Sequence, residues 1–177
     1  MNQFSEFSIK PASTSDVDIL QELCTITFSE TYKNYNTEED MQLYINEHFN
    51  RKNLLEELEN EKNFFFLATL NRKLFGYIKL RTNNELSQLK NKKNIELERI
   101  YVVEHFQGLG LGNRLIHFAV DFARNKSYDT IWLGVWKKNE KAITFYKKCG
   151  FEIFGEHTFT LGTDEQVDWL MKKDLTN

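Results

Sequence analysis

Three glycines alternate with other residues at Gly108, Gly110 and Gly112, directly before a stretch with helical periodicity. Because glycine has no Cβ and adopts positive φ angles without strain, such a turn lets the backbone approach a ligand closely. The first amides of a helix have no partner within it, and with the helix dipole they bind anions. The segment Gln107–Gly112 is therefore a candidate pyrophosphate site, although a tight strand-to-helix turn would need the same glycines.

Two common nucleotide-binding motifs do not fit this turn. The Rossmann spacing G-x-G-x-x-G fails in both registers, because Asn113 and Leu115 stand where the third glycine belongs. A P-loop needs a Gly-Lys pair followed by Ser or Thr, and no such run follows. The glycines thus indicate an anion site that is neither a Rossmann nor a P-loop site.

The turn resembles the Q/R-x-x-G-x-G/A signature of the GNAT acetyltransferase superfamily, through Gln107, Gly110 and Gly112. A second element of that family, N-x-x-A-x-x-F-Y-x-x-x-G-F, is matched by residues 139–151. Both elements stand in the family's order, and the resemblance covers residues 94–160 well. More narrowly, the chain resembles the PaiA-type spermidine/spermine acetyltransferases over nearly its whole length, through residues 27–32, 97–101 and 131–136.

The resemblance implies which residues bind acetyl-CoA. The backbone of Ile100, Tyr101 and Val102 would pair with the pantetheine arm, and their amides could face the thioester oxygen. Asn139 would lie near the pantetheine, and Lys148 would contact the phosphates; a helix N-cap and a solvated lysine are the alternatives. The residues implied for the pyrophosphate are Gln107, Gly108, Leu109, Gly110, Leu111, Gly112 and Asn113.

The resemblance also implies two catalytic residues. Tyr146 matches the tyrosine that protonates the leaving sulfur, and Glu98 matches a strand glutamate that acts as the base through water. A tyrosine packed on an amphipathic helix is the alternative for Tyr146. A solvated strand face, shared with Glu96, is the alternative for Glu98. No metal is implied, and direct attack in a ternary complex is the expected reaction.

Charge is distributed unevenly along the chain. Residues 30–61 hold nine acidic and three basic residues, whereas residues 137–148 hold five lysines and one glutamate. The early region would form the acceptor side in this superfamily, where acidic residues would attract a polyamine. Glu30 and Tyr32 are the candidate substrate-binding residues; acidic helices that only keep the chain soluble are the alternative.

Hydrophobic periodicity predicts the order β-ααα-βββ-α-β-α-ββ, an α/β (α+β) fold with a mixed sheet flanked by helices. The resemblance adds that the sheet is twisted, mostly antiparallel, and splayed between its central strands. Residues 94–103 are expected to alternate strictly, with Ile95, Leu97, Arg99 and Tyr101 on one face. Residues 151–160 and 167–172 are expected to close the chain as a hairpin around Gly162.

Composition limits the class of protein. The length of 177 residues is that of one domain, expected to span residues 1–177, and the net charge of −3 argues against a nucleic-acid binder. No long apolar run predicts a membrane span, and MNQFSEFSIK lacks the layout of a secretory signal. Two cysteines and four histidines show no disulfide or metal spacing. We therefore expect a cytoplasmic protein.

These features together predict an N-acetyltransferase that moves acetyl from acetyl-CoA to a primary amine, with a polyamine such as spermidine or spermine as the expected acceptor. A protein amino terminus, an amino acid or an aminoglycoside is the alternative acceptor. A non-catalytic module that binds acetyl-CoA and reports to a partner is the alternative of another class. Dimers are common in the superfamily, so a homodimer is one possible assembly.

Overall fold

The computed structural model describes residues 6–82, 86–161 and 164–176. Within these residues the chain forms seven strands and five α-helices in the predicted order. The strands are β1 (Phe7–Pro11), β2 (Asn63–Leu70), β3 (Lys73–Arg81), β4 (Asn94–Val102), β5 (Thr130–Trp136), β6 (Glu152–Leu161) and β7 (Asp164–Asp174). The helices are α1 (Val17–Tyr32), α2 (Glu38–His48), α3 (Arg51–Glu59), α4 (Leu111–Asn125) and α5 (Glu140–Lys148).

The strands form one sheet in the order β1-β2-β3-β4-β5-β7-β6. All neighbours are antiparallel except β4 and β5, which are parallel. Asn71 and Arg72 join β2 to β3 with φ angles of 50° and 65°, as a two-residue hairpin turn requires. The closing hairpin of β6 and β7 is confirmed, whereas Gly162, where its turn was expected, lies outside the described residues.

Polar side chains define where the early helices begin. The Oγ1 atom of Thr37 accepts a hydrogen bond from the backbone amide of Asp40 at 3.1 Å, as expected for the start of α2. Asn50 caps α3 in the same way through the amide of Asn53, at 2.9 Å. Helix α3 therefore begins at Arg51, two residues earlier than the apolar pattern indicates.

The two faces of the sheet carry separate cores. Helices α4 and α5 cover one face, where Leu115, Ala119 and Ile131 are fully buried. Helices α1, α2 and α3 cover the other face around Leu20, Leu54 and Tyr77. We call these the α4–α5 face and the α1–α3 face.

The segment predicted to be a polar loop, residues 82–93, is partly structured. Residues 83–85 lie outside the described residues, and Ser87–Leu89 forms a short 3-10 turn. Leu89 is buried against Trp132 and Leu170, so this turn covers the start of β5. Among the described residues no helix is both long enough and apolar enough to cross a membrane.

Candidate active site

Strands β4 and β5 separate along their length. They pair only over Asn94–Glu96 with Thr130–Trp132, although β4 continues to Val102 and β5 to Trp136. The gap between the unpaired ends opens toward α1 on one face and α5 on the other. The splayed central pair that the resemblance implies is thus present in the structure.

A β-bulge at Glu98 redirects β4 at this gap. In the register with β3, Lys79 lies opposite Arg99 and Leu80 opposite Leu97, which leaves Glu98 as an extra residue. The strict alternation predicted for this strand is therefore wrong. Before the bulge Ile95 and Leu97 belong to the core of the α4–α5 face, and after it Ile100 and Val102 pack there while Arg99 and Tyr101 turn to the other face.

The segment Ile100–Val102 is fixed on one side and open on the other. It pairs with Gly76–Ile78 of β3, where a Cβ on Gly76 would lie 2.3 Å from the Tyr101 carbonyl oxygen. Only glycine permits so close an approach of the two strands. The opposite edge faces the gap, where β5 does not pair with it. This unpaired edge can accept an extended ligand as an added strand.

The glycine-rich turn lies between the end of β4 and the start of α4. Gly108 and Gly110 have φ angles of 79° and 75°, and a Cβ on either would meet no atom within 4 Å. The backbone amides of residues 108–113 donate to no acceptor among the described residues. The start of α4 therefore offers both open space and backbone amides without an acceptor, and this combination suits the binding of an anion.

Gln107 holds the turn in place. Its Nε2 atom donates to the Val102 carbonyl oxygen at 3.0 Å, and its Oε1 atom accepts from Lys141 Nζ at 2.8 Å. The side chain thus joins the end of β4 to the start of α5. Both ends of the side-chain amide are occupied in this way, so we assign it a positioning role.

A surface groove of about 690 Å³ lies between the start of α4 and the exposed side of α5. Its lining residues are Asn113, Glu140, Lys141, Thr144, Phe145 and Lys148. Two of the residues implied for cofactor binding, Asn113 and Lys148, are thereby brought together next to the glycine-rich turn. Asn139 instead caps α5, because its Oδ1 atom accepts from the Ala142 amide at 3.1 Å.

Tyr146 is buried on α5, with the rings of Phe145 and Phe151 at centroid distances of 5.3 and 6.0 Å. Its hydroxyl forms no hydrogen bond with any described residue. Burial, followed by the nearby Tyr101 and Cys149, raises the pKa of the phenol above its usual value. The phenol therefore keeps its proton at neutral pH and is available as a proton donor.

Glu98 lies in a cluster of charges on the α1–α3 face. Its carboxylate is 2.8 Å from Lys79 Nζ, 3.2 Å from Arg81 Nε and 3.3 Å from Arg99 Nη2. Burial raises the pKa of Glu98, but the charges of Arg99, Lys79 and Arg81 outweigh it and hold the pKa below its usual range. A carboxylate in these surroundings has a low affinity for a proton.

The same cluster attaches α3 to the sheet. Glu57 accepts from Lys79 Nζ at 2.6 Å and from both terminal nitrogens of Arg99, at 2.8 and 3.0 Å. Glu96 pairs with Arg81 beside them. The cluster balances three cations against three carboxylates, and Lys79, which is 1% exposed, is buried within it.

The two candidate substrate residues lie at the end of α1. Glu30 accepts a hydrogen bond from the backbone amide of Glu104 at 2.9 Å, and so attaches α1 to the chain that follows β4. Tyr32 is half-buried and lies next to the hydroxyl of Tyr101. Burial raises the pKa of Tyr32, and Asp168 and Tyr146 act in the same direction from nearby. Tyr32 thus lies beside Tyr101 at the gap, with its ring 6.1 Å from that of Trp136 on β5.

Asp168 of β7 is a residue that sequence analysis does not single out. It lies opposite Trp136 of β5 and His157 of β6 in the sheet register, on the α1–α3 face. No local spacing marks it, because only the pairing of β7 with β5 brings it near the gap. Among the described residues, no group of three or more His, Cys, Asp or Glu side chains is placed to hold a metal ion.

Comparison with known proteins identifies the class to which this fold and site belong. The family model of the acetyltransferase (GNAT) family matches residues 20–151, so the chain belongs to that family. It is 37% identical to an uncharacterized N-acetyltransferase of Lactobacillus delbrueckii subsp. lactis, over 84% of this chain and 86% of the relative. The chain is therefore an N-acetyltransferase, which takes acetyl from acetyl-CoA.

Two further similarities concern a relative with a named substrate and a solved structure with coenzyme A. The chain is 26% identical to a spermidine N(1)-acetyltransferase of Thermoplasma acidophilum, over 82% of this chain and 88% of the relative. Its fold matches the crystal structure of a PaiA N-acetyltransferase of the same organism in complex with coenzyme A, with a TM-score of 0.77. That match covers 96% of this chain and 99% of the other at 24% identity, which establishes the mixed, mostly antiparallel fold.

Proposed function

We propose that the chain transfers acetyl from acetyl-CoA to a primary amine of a polyamine such as spermidine or spermine, by direct attack in a ternary complex. The observation that carries this proposal is the gap between β4 and β5, where an unpaired strand edge, free helix-start amides and a buried phenol converge. The similarity to a spermidine acetyltransferase supports the choice of acceptor. We also propose that residues 1–177 form one catalytic domain, consistent with a single sheet.

The residues present fit coenzyme A. The amides of Gly108–Asn113 would bind the pyrophosphate, since Gly108 and Gly110 place no side chain in the way. Lys148 and Asn113 would bind the rest of the phosphate end in the groove beside α5. The unpaired edge of Ile100–Val102 would hold the pantetheine arm, with Asn139 close to it.

Acetyl-CoA supplies an activated thioester carbonyl. A backbone amide of Ile100–Val102 would stabilise the negative charge that develops on the carbonyl oxygen, which is typically worth about 3 kcal/mol. Tyr146 would donate its proton to the departing sulfur. Because burial raises the pKa of this phenol, it keeps its proton at neutral pH and can act as the donor.

The acceptor must lose a proton before it attacks. An alkylamine has a pKa of about 10, so roughly one molecule in a thousand is neutral at pH 7. Glu98 as the base, acting through water, remains a prediction. Its three cationic contacts make it a weak proton acceptor, so its substitution is a direct test.

A thiol-release assay tests the proposed function. Wild-type protein with acetyl-CoA is offered spermidine, spermine, free amino acids, an aminoglycoside and peptides with free amino termini. A kcat/KM for spermidine or spermine well above that for the other amines supports the proposal. Activity confined to peptides would mean that the acceptor is a protein amino terminus and not a polyamine. Binding of acetyl-CoA without thiol release for any amine would instead favour a non-catalytic binding module.

A further inference from the structure

An opening lies over the middle of β5 on the α1–α3 face. Gly134 is exposed there, although it stands between Leu133 and Val135, which are buried on the opposite face. On either side of it along the strand, Trp132 is covered by the turn at Leu89 and Trp136 by the end of α1. The sheet is thus left uncovered at one glycine, and we call this opening the Gly134 slot.

Asp168 and His157 form the walls of the slot. A Cβ placed on Gly134 would lie 3.3 Å from Asp168 Oδ2 and 3.3 Å from His157 Cε1. Asp168 Oδ1 is buried without a hydrogen-bond partner. The carboxylate makes no hydrogen bond or ion pair with any described side chain. Burial raises the pKa of Asp168, and the nearby His157 opposes this only in part.

Asp168 is half-buried, and its buried Oδ1 atom has no hydrogen-bond partner, which is unfavourable for a charged carboxylate. Glu98 shows the contrast in the same chain, since three cations lie within 3.3 Å of it. A structural carboxylate would be expected to have such partners. A carboxylate that binds a cationic ligand must instead be left open to receive one.

Aromatic rings lie next to Asp168 on the side of the gap. The Trp136 ring is 6.1 Å from that of Tyr32 and 5.1 Å from that of Tyr35, measured between centroids. Lys138 Nζ lies 5.5 Å from the Trp136 ring, so this ring already accepts an ammonium group of the chain itself. Gln166, two residues before Asp168, donates to Asn36 at 2.8 Å and holds the loop after α1 beside the slot.

We propose that Asp168 binds an ammonium group of the acceptor in the Gly134 slot, with the ring of Trp136 beside it, and so selects alkyl diamines and polyamines. The inference rests on the proposed function in that the acceptor is an amine. The Tyr32 ring lies 6.1 Å from the Trp136 ring, and its hydroxyl lies next to that of Tyr101, so Tyr32 connects the slot to the gap.

Calorimetric titration of the full chain with spermidine, in the presence of coenzyme A, tests this role without requiring turnover. The variants are Asp168→Asn, Gly134→Ala, whose Cβ would crowd both walls, and Asp174→Asn. The last is a matched control, because it makes the same change on the same strand at a surface carboxylate. Thermal melts verify that each variant is folded.

Loss of a charged partner should weaken spermidine binding roughly tenfold or more in Asp168→Asn. Gly134→Ala should weaken it to a smaller extent, and Asp174→Asn should bind within about twofold of wild type. In turnover, Asp168→Asn should raise KM for spermidine more than it lowers kcat. These results together support the assignment of Asp168.

Equal affinity of Asp168→Asn and wild type would overturn the role of Asp168, and so would a wild type that binds no spermidine. The proposed function is tested separately, by measuring thiol release with the wild-type protein. If wild type and Asp168→Asn turn over spermidine equally well, only the inference about the slot is overturned. Binding of spermidine through Asp168 without thiol release overturns only the proposed transfer.

Discussion

The ammonium group of Lys79 lies 2.8 Å from the carboxylate of Glu98, the extra residue of the bulge in β4. The bulge aims the glutamate at the cations of β3 and β4. The contact therefore links the shape of the gap to the charge cluster that attaches α3. A residue expected to act on the acceptor thus lies both in the bulge beside the gap and in the charge cluster.

Substitution of Glu98 by Gln separates these two roles. Because it leaves Lys79, Arg81 and Arg99 short of one carboxylate in a buried cluster, we expect the free energy of unfolding to fall by about 3 kcal/mol. Urea denaturation measures this change. The control is Glu56→Gln, which removes an exposed pair with Lys52 and should change stability by less than about 1 kcal/mol. Unchanged stability with a hundredfold loss of kcat would instead identify Glu98 as the base.

Substitution of Tyr146 by Phe should lower kcat without lowering stability. The hydroxyl has no hydrogen-bond partner among the described residues, so its removal leaves no buried group unpaired. Loss of the proton donor should reduce kcat roughly a hundredfold, while coenzyme A binding stays the same. Tyr128→Phe is the control, since Tyr128 lies in the turn before β5, at the opposite end of that strand from the gap. Retention of full kcat in Tyr146→Phe would remove Tyr146 from the reaction.

The order of the elements was predictable because apolar spacing is a local property, as the stripe that buries Leu111 and Leu115 on α4 shows. The bulge left a local signal that strict alternation overlooked, namely the change of apolar spacing between Leu97 and Ile100. The charge cluster left none, because Glu57 reaches Arg99 across 42 residues of sequence.

The Gly134 slot could not be predicted from the sequence either. It depends on the register of β7 against β5, which places Asp168 beside a glycine 34 residues earlier in the chain. Local patterns predict elements and family motifs well. They do not predict side chains that meet only through the pairing of distant strands.

Substitution of Gly110 by Ala should impair binding of acetyl-CoA. A φ of 75° is strained for alanine by about 1 kcal/mol, and the added methyl would stand where a ligand approaches the free amides. We expect KM for acetyl-CoA to rise roughly tenfold. Gly150→Ala is the control, because Gly150 has a φ of 86° at the end of α5 and carries the same kind of strain. It should lose stability and keep its KM; an equal rise of KM in both variants would contradict a binding role for the turn.

Asp168 and Asp174 should affect the pH dependence of stability in opposite directions. Burial raises the pKa of Asp168 in the folded chain, where His157 of β6 and Tyr32 of α1 are its titratable neighbours. Its ionised form is therefore penalised on folding, and Asp168→Asn should be more stable than wild type at pH 7 to 8. The difference should shrink as the pH falls and disappear at about pH 3, where the carboxyl is largely protonated in both states.

Ionisation of Asp174 has the opposite effect on stability, because hydrogen bonds from Lys92 and Thr130 lower its pKa to about 2. Its ionised form stabilises the fold above pH 3.8, and this contribution is lost as the pH falls toward 2. Since the side chain is 39% exposed, Asp174→Asn should cost less than about 1 kcal/mol at pH 7. Thermal melts of both variants between pH 3 and pH 8 measure the two trends. A loss of stability at pH 7 in Asp168→Asn would mean that Asp168 has a structural partner and is not held open for an ammonium group.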